Sequence, residues 1–178
     1  LGAVEFDRAR VETAVVDFIT GRLETILRDR GYAYDTVAAV LAIQSASPSD
    51  AADRCRALQQ FRDSNESMAD LATAFGRAAN LSDASAGTAV NRNAFTPFDA
   101  DLDGALAAAE QQAGDLMERA EYDQLLAVFA TLRTPIDAFF ENVMVMDSDP
   151  VVRTNRLALL NRFVALFRQF ADFSSVVS

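Results

Sequence analysis

Apolar residues recur at helical spacing along most of the chain. Val11, Val15, Ile19, Leu23 and Ile26 form a stripe that predicts a long helix over residues 4–30, flanked by Phe18 and Leu27, with Arg22 at its edge. Arg28 and Arg30 suit the dipole at its C-terminal end, and Gly31 stops it. Tyr32-Ala33-Tyr34 is a connector. Asp35 is placed to cap a short helix, DTVAAVLAIQ, which is apolar nearly all round and is expected at the centre of the fold. Ser47-Pro48-Ser49-Asp50 reads as a loop and cap before a helix from about Ala51 to Arg62, with Cys55, Leu58 and Phe61 facing inward. A break at Ser64 to Ser67 precedes a helix from Met68 to Leu81. Residues 82–98, SDASAGTAVNRNAFTPF, carry no period and are expected to be mobile or to wrap the surface. Two more helices follow, one to about Arg119 and one from Glu121 to Leu132.

The last part of the chain, PIDAFFENVMVMDSDPVVRTNRLALLNRF at residues 135–163, encodes two helices and a tight connection. Thr134 is a candidate cap and Pro135 suits the first helical position. Ile136, Phe139, Phe140, Val143 and Met144 recur at helical spacing until the pattern gives out near Met146. Asp147-Ser148-Asp149-Pro150 is a second start signal, and an amphipathic helix is expected from there to about Asp172. Val152, Leu159, Leu160, Phe163, Leu166, Phe167 and Phe170 share one face, with Asn161, Arg162, Arg168, Gln169 and Asp172 opposite. Arg156 falls in the middle of the apolar face and Arg153 at its margin. A guanidinium keeps its charge, so a buried one needs a carboxylate or a phosphate. Two readings stand: an ion pair with Asp137, Glu141 or Asp147, or an arginine aimed at an RNA phosphate.

Composition narrows the function. About half of the residues are hydrophobic, enough for a sizeable core, and the low Gly and Pro content favours helices. The formal charge is −10 and every basic residue is Arg. An acidic chain is a poor starting point for phosphate neutralisation. One Cys and no His exclude an internal disulfide, a Cys/His zinc site and a histidine base; Cys55 is expected as a small core residue. No stretch is apolar enough to span a membrane and no signal peptide is present, so a cytoplasmic location is expected. Asp99, Asp101, Asp103, Gly104 and Glu110 match the outline of a calcium loop, but the segment reads as helix and Ala105 and Ala107 stand where two ligands belong. Acidic capping of a helix start is the expected role. The remaining carboxylates lie on helix exteriors and at caps, so no acid/base pair stands out for an isolated enzyme.

The segment IDAFFENVMVM, an acidic turn, and R-x-N-R-L-A-L-L closely resemble the C-terminal end of bacterial glycyl-tRNA synthetase beta subunits. DFITGRLETILRDRGYAYDTVAAVLA at residues 17–42 is similar to the same family's pattern. GRAANL at residues 76–81 resembles a segment that is commonly Lys-Arg-Val-x-Asn-Ile; Arg77 and Asn80 match, and Gly76 stands where Lys is usual. AEYDQLLAVFATLRTPIDAFF and the ending ADFSSVVS also resemble the family. The likeness covers nearly the whole chain and is interrupted at 82–98.

The resemblance implies an all-α bundle of about seven to eight helices, an anticodon-binding domain of the DALR type, as one domain over residues 1–178. The start at Leu-Gly without Met fits a fragment of a longer chain. The implied function is binding of the anticodon region of glycine tRNA in support of glycylation. The implied fragment is non-catalytic and holds no cofactor; ATP and glycine are used by the holoenzyme through its separate alpha subunit. The RNA-contact candidates are Arg153, Asn155, Arg156, Asn142, Arg77, Asn80 and Arg22, with Tyr32 and Tyr34 as possible stacking partners. Without the resemblance, an acidic helical bundle lacking catalytic groups reads as a protein–protein interaction module. Arginine placement separates the two: convergence of Arg22, Arg77, Arg153 and Arg156 on one face favours RNA, and dispersed, carboxylate-paired arginines favour a protein partner. The helical wheel predicts that Arg156→Ala lowers the melting temperature more than Arg162→Ala; equal melting temperatures would contradict that placement.

Overall fold

The last long helix is the axis of the molecule. The computed structural model describes residues 8–43, 47–64 and 68–176, with side chains from residue 10 onward. Eight α-helices lie within them: α1 Arg8–Asp29, α2 Tyr34–Leu41, α3 Pro48–Ser64, α4 Met68–Leu81, α5 Pro97–Glu118, α6 Tyr122–Ala130, α7 Arg133–Asn142 and α8 Pro150–Arg168. Short 3-10 turns occur at Ala84–Ala86, Arg92–Ala94 and Phe173–Ser175, and no strand is present among the described residues. The all-α expectation holds.

α8 packs against α4 and α5, and the first two 3-10 turns also rest on it. With neighbours on several sides it has little solvent face, and every residue from Asn155 to Asn161 is buried. The wheel placed Asn161 and Arg162 toward water; Asn161 is instead covered and Arg162 is half-buried against α5. Only Arg168 and Gln169 of that set remain open. The apolar side of α8 enters an aromatic cluster centred on Phe167. Its ring stacks on Phe129 at 4.4 Å and meets Phe163 at 4.6 Å, Phe173 at 5.0 Å and Phe75 at 5.6 Å. Ring pairs of this kind add about 0.5–1.5 kcal/mol each beyond area burial.

The carbonyls just past the end of α8 would lack partners within the helix. Arg54 of α3 supplies them, its Nη1 donating to the Gln169 and Phe170 carbonyls at 2.7 and 2.9 Å while Nε donates to the Asp50 carboxylate. The Tyr122 ring lies 5.1 Å from this guanidinium and its hydroxyl donates to Asp50. Burial first, and then that hydrogen bond, push the Tyr122 phenol up to about 12. Cys55, fully buried nearby on α3, is likewise pushed up to about 12 by burial, so its thiol stays protonated.

Helix starts differ from the sequence reading in several places; α5, for one, begins at Pro97, inside the stretch 82–98 expected to carry no period. α3 begins at Pro48, so Ser47–Asp50 is its first turn rather than a loop, with Ser47 Oγ accepting from the Asp50 N–H at 3.1 Å. Asp35 lies inside α2 rather than capping it; it accepts from the Thr36 N–H and pairs with Arg62 of α3. α7 begins at Arg133, so Thr134 is an exposed helical residue and not a cap. Other signals hold: Gly31 ends α1 in the left-handed region at φ +91, Thr96 and Asp99 form a capping box on α5, and Asp149 caps α8. The break expected at 64–67 falls largely on residues outside those described, as does residue 44 of the predicted second helix.

Residues 82–96 wrap the surface and are anchored by two asparagines of α8. Asn161 accepts from Ser82 Oγ and the Asp83 N–H, and donates to the Asp83 and Gly87 carbonyls at 2.7 Å each. Asn155 exchanges two hydrogen bonds with the Asn91 backbone, at 2.7 and 3.2 Å. Side-chain amides thus do for this segment what a ladder does for a strand. α1 behaves differently. Leu27 is buried and Leu23 half-buried against the bundle, but Val11, Val15, Val16, Phe18 and Ile19 are exposed. Asn161→Ala is expected to cost about 1–3 kcal/mol and to speed amide exchange at residues 83–91 selectively; uniform exchange across the domain would contradict the anchoring role.

Candidate nucleic-acid interface

α7 ends at Asn142 and Val143 continues in extended backbone, so the chain must turn before Asp149 opens α8. Two arginines from the first turns of α8 hold that turn. Arg153 Nη1 donates to the Asp147 carbonyl at 2.8 Å. Arg156 donates through Nη1 to the Met144 carbonyl at 2.9 Å and to the Asp147 carboxylate at 3.0 Å, and through Nε to Asp99 at 3.2 Å. Arg156 and Asp99 are only 5% and 1% exposed, so the charges answer each other in the interior. The ion-pair reading of Arg156 is therefore the one observed. Asp147 was among the partners expected, and Asp99 of α5 is an additional one. The Asp149 N–H, with Arg156 beside it, holds the Asp147 carboxyl below its usual value.

A second group lies further along α8. Arg162 donates to Asp103 and Glu110 of α5, and Arg92 donates to Asp103 as well. Burial pushes the Asp103 carboxyl up, but the hydrogen bonds from Arg92 and Arg162 outweigh it and the net shift is downward. Asp99 and Asp103 lie within helix α5 and face arginines, so the calcium-loop outline is not realised. Among the described residues no cluster of three His, Cys, Asp or Glu is arranged to hold a metal ion.

What the held turn presents outward is a polar–apolar strip. Arg77 of α4 lies with its guanidinium 4.2 Å from the Phe140 ring centroid of α7, a cation–π arrangement at an exposed edge. Asn80 follows on the next turn of α4, and Asn142 ends α7 with its amide donating to the Ala138 carbonyl. Met144 is 71% exposed, and Met146 is also open. Flat groups and soft thioethers beside amides and a guanidinium can stack on bases and bond to their edges.

The seven nominated residues thus separate. Arg77, Asn80 and Asn142 are exposed, and Arg153 is half-buried against the turn. Asn155 and Arg156 are buried and committed to the 82–96 segment and to the turn, which makes them positioning residues here. Arg22 is exposed on α1, which packs mainly on α2 and α3. Tyr32 is packed against the core, while Tyr34 is exposed with Arg28 5.4 Å from its ring. Sequence reasoning missed Met144 and Met146 as surface groups; Phe140 is half-buried, packed against the core on one side and against Arg77 on the other. Among the described residues, most arginines are matched to carboxylates, whereas Arg22, Arg30, Arg77 and Arg153 are in no ion pair; Arg22 on α1 and the buried, paired Arg156 do not converge with Arg77 on one open face.

The profile of the DALR anticodon binding domain matches residues 56–173, well over half of the chain. The chain belongs to the DALR anticodon-binding domain family. Glycine–tRNA ligase beta subunits are similar to it over almost its full length. That of Desulforamulus reducens is 41% identical over 96% of this chain and 25% of its own, that of Moorella thermoacetica 42% over 94% and 24%, and one from Haemophilus influenzae 40% over 90% and 24%. The chain spans about a quarter of the length of these relatives. The match supports the nucleic-acid reading over the acidic interaction module. The DALR profile begins within α3, so α1 and α2 precede the matched part, although the relatives align with them too. No described helix of this DALR domain is long and apolar enough to cross a membrane.

Two consequences are measurable. Removing Arg156 strands the buried Asp99 carboxylate, whereas removing Arg162 leaves Asp103 with Arg92, so the order Arg156 before Arg162 stands, with about 3–5 kcal/mol expected for Arg156→Ala. Asp103 and Asp147 have lowered folded-state pKa values, so their stabilisation is complete above the ordinary carboxylate range near 4 and is lost as pH falls through the folded values. The melting temperature is expected to hold from pH 7 to about 5 and to drop below about 4, less steeply in Asp103→Asn; identical acid limbs for that variant and the parent would contradict the assignment.

Proposed function

We propose that this chain is the anticodon-binding part of a glycine–tRNA ligase beta subunit, contacting the anticodon region of glycine tRNA so that a separate alpha subunit can glycylate it with ATP and glycine. The supporting observation is the group of exposed Arg77, Asn142 and Met144 with the half-buried Phe140 in a domain of an anticodon-binding family. Splayed anticodon bases would stack on Phe140 and the thioethers, with Arg77, Asn80 and Asn142 meeting base edges or phosphates. Arg153 and Arg156 act through the turn, setting the height of Met144 and Asn142. In this reading the chain itself carries out no chemistry, and it works in the cytoplasm, where translation takes place.

The test is a titration of the full beta subunit with a glycine tRNA anticodon stem-loop at low salt, against a loop-mutated stem-loop. Preference for the glycine loop is expected. Arg77→Ala should weaken it about five- to thirty-fold, on the order of 1–2 kcal/mol, and binding should weaken as salt rises. Equal affinity for both loops, or an Arg77→Ala variant indistinguishable from the parent, would overturn the assignment of the strip.

A further inference from the structure

α1 carries an apolar face that nothing among the described residues covers. At about 100° per residue, Phe18, Val11, Arg22, Val15, Ile26 and Ile19 fall in that order within an arc of roughly a quarter turn. All are exposed, Phe18 at 74%. Only the far end of the helix packs on the bundle, through Leu23 and Leu27. Where it does so the face runs into a groove of about 390 Å³ between α1 and the start of α3, lined by Leu23, Ile26, Leu27, Pro48 and Ala52 together with Arg30, Ser49 and Asp53. A stripe leading into an apolar groove is the shape that receives an amphipathic helix. Soluble chains rarely leave such a patch open to water.

We infer that this face is the seat of an amphipathic helix from another part of the same beta-subunit polypeptide, one that carries a carboxylate opposite Arg22. The inference rests on the reading of this chain as part of a longer beta subunit. Relatives about four times as long align with α1, yet the anticodon-binding profile begins only at residue 56. α1 is therefore shared with long chains without belonging to the matched domain, which is what a joint between the domain and the rest of the polypeptide would look like. Charge selects among occupants. Arg22 sits inside the apolar face with no ion pair among the described residues, so its neighbour there supplies an anion. A second copy of α1 cannot: parallel pairing sets Arg22 beside Arg22, and antiparallel pairing about Phe18 and Ile19 sets it on Val15. RNA is disfavoured by the valine, isoleucine and phenylalanine surface and by Asp53 in the groove.

The test uses the full-length beta subunit carrying Ile19→Cys or, as an exposed control outside the apolar face of the same helix, Thr20→Cys. Iodoacetamide alkylation is timed under native conditions and read by mass spectrometry on the tryptic peptide 11–22. Alkylation at Ile19→Cys at least ten-fold slower than at Thr20→Cys, independent of protein concentration and without alpha subunit or tRNA, is the expected result. Equal native rates overturn the proposal. So does protection that disappears on dilution, or that arises only on adding alpha subunit or glycine tRNA, since each names a different occupant. Stem-loop binding measured on the same preparation separates the two readings: binding with an unprotected Ile19→Cys removes only the docking site, and protection without binding removes only the anticodon assignment.

Discussion

A guanidinium that cannot give up its proton is buried near the start of α8, and the surrounding structure is arranged to answer it. Arg156 meets Asp99 at the capped start of α5, and the Met144 carbonyl and Asp147 carboxylate in the turn after α7. The start of α8, the turn that leads into it and the distant start of α5 are thereby fixed relative to each other. Asp99 also closes the capping box with Thr96, so the same carboxylate starts one helix and neutralises another. The turn that Arg156 and Arg153 hold is the one that puts Met144 and Asn142 at the surface. The site's exposed chemistry thus depends on a charge that never reaches solvent.

The buried polar residues of α8 extend that logic. A helix enclosed on several sides either becomes apolar all round or finds a partner for every polar atom it keeps. α8 keeps Asn155, Arg156 and Asn161 buried and Arg162 half-buried, and each is matched to a particular backbone group or carboxylate. Asn155 and Asn161 convert an irregular segment into a fixed strap across the helix. At the other end Arg54 supplies donors to the carbonyls of Gln169 and Phe170. Polar pairing locates the axis from end to end, and the aromatic cluster around Phe167 fills the space between.

This economy of arginines bears on how an acidic domain can approach RNA. Much of the positive charge is neutralised by carboxylates of the same chain, leaving little for phosphate attraction at long range. Recognition in the proposed reading therefore leans on stacking and base-edge contacts at the Arg77–Phe140 strip. α1 stands apart from this, with an apolar face that no described element covers.

Local chemistry was readable from the residues alone. The 3.6-residue period located α1, α4, α5 and α8, Gly31 and Asp149 marked an end and a start, and the motif between residues 135 and 160 carried the family resemblance. These are properties of short stretches, and each is set by propensity, capping or pattern within one turn or two. What the sequence could not decide was which sides of those helices would be covered. Asn161 and Arg162 sit on the polar side of the α8 wheel, yet they are drawn inward because the 82–96 strap and α5 close over them. Val15 and Phe18 sit on an apolar stripe, yet they face water because no described element lies above them. Asp99 became the partner of Arg156 across 57 residues of chain, a pairing with no local signal. Periodicity is written into one helix at a time; burial and pairing are set by its neighbours, and only the tertiary structure brings those together.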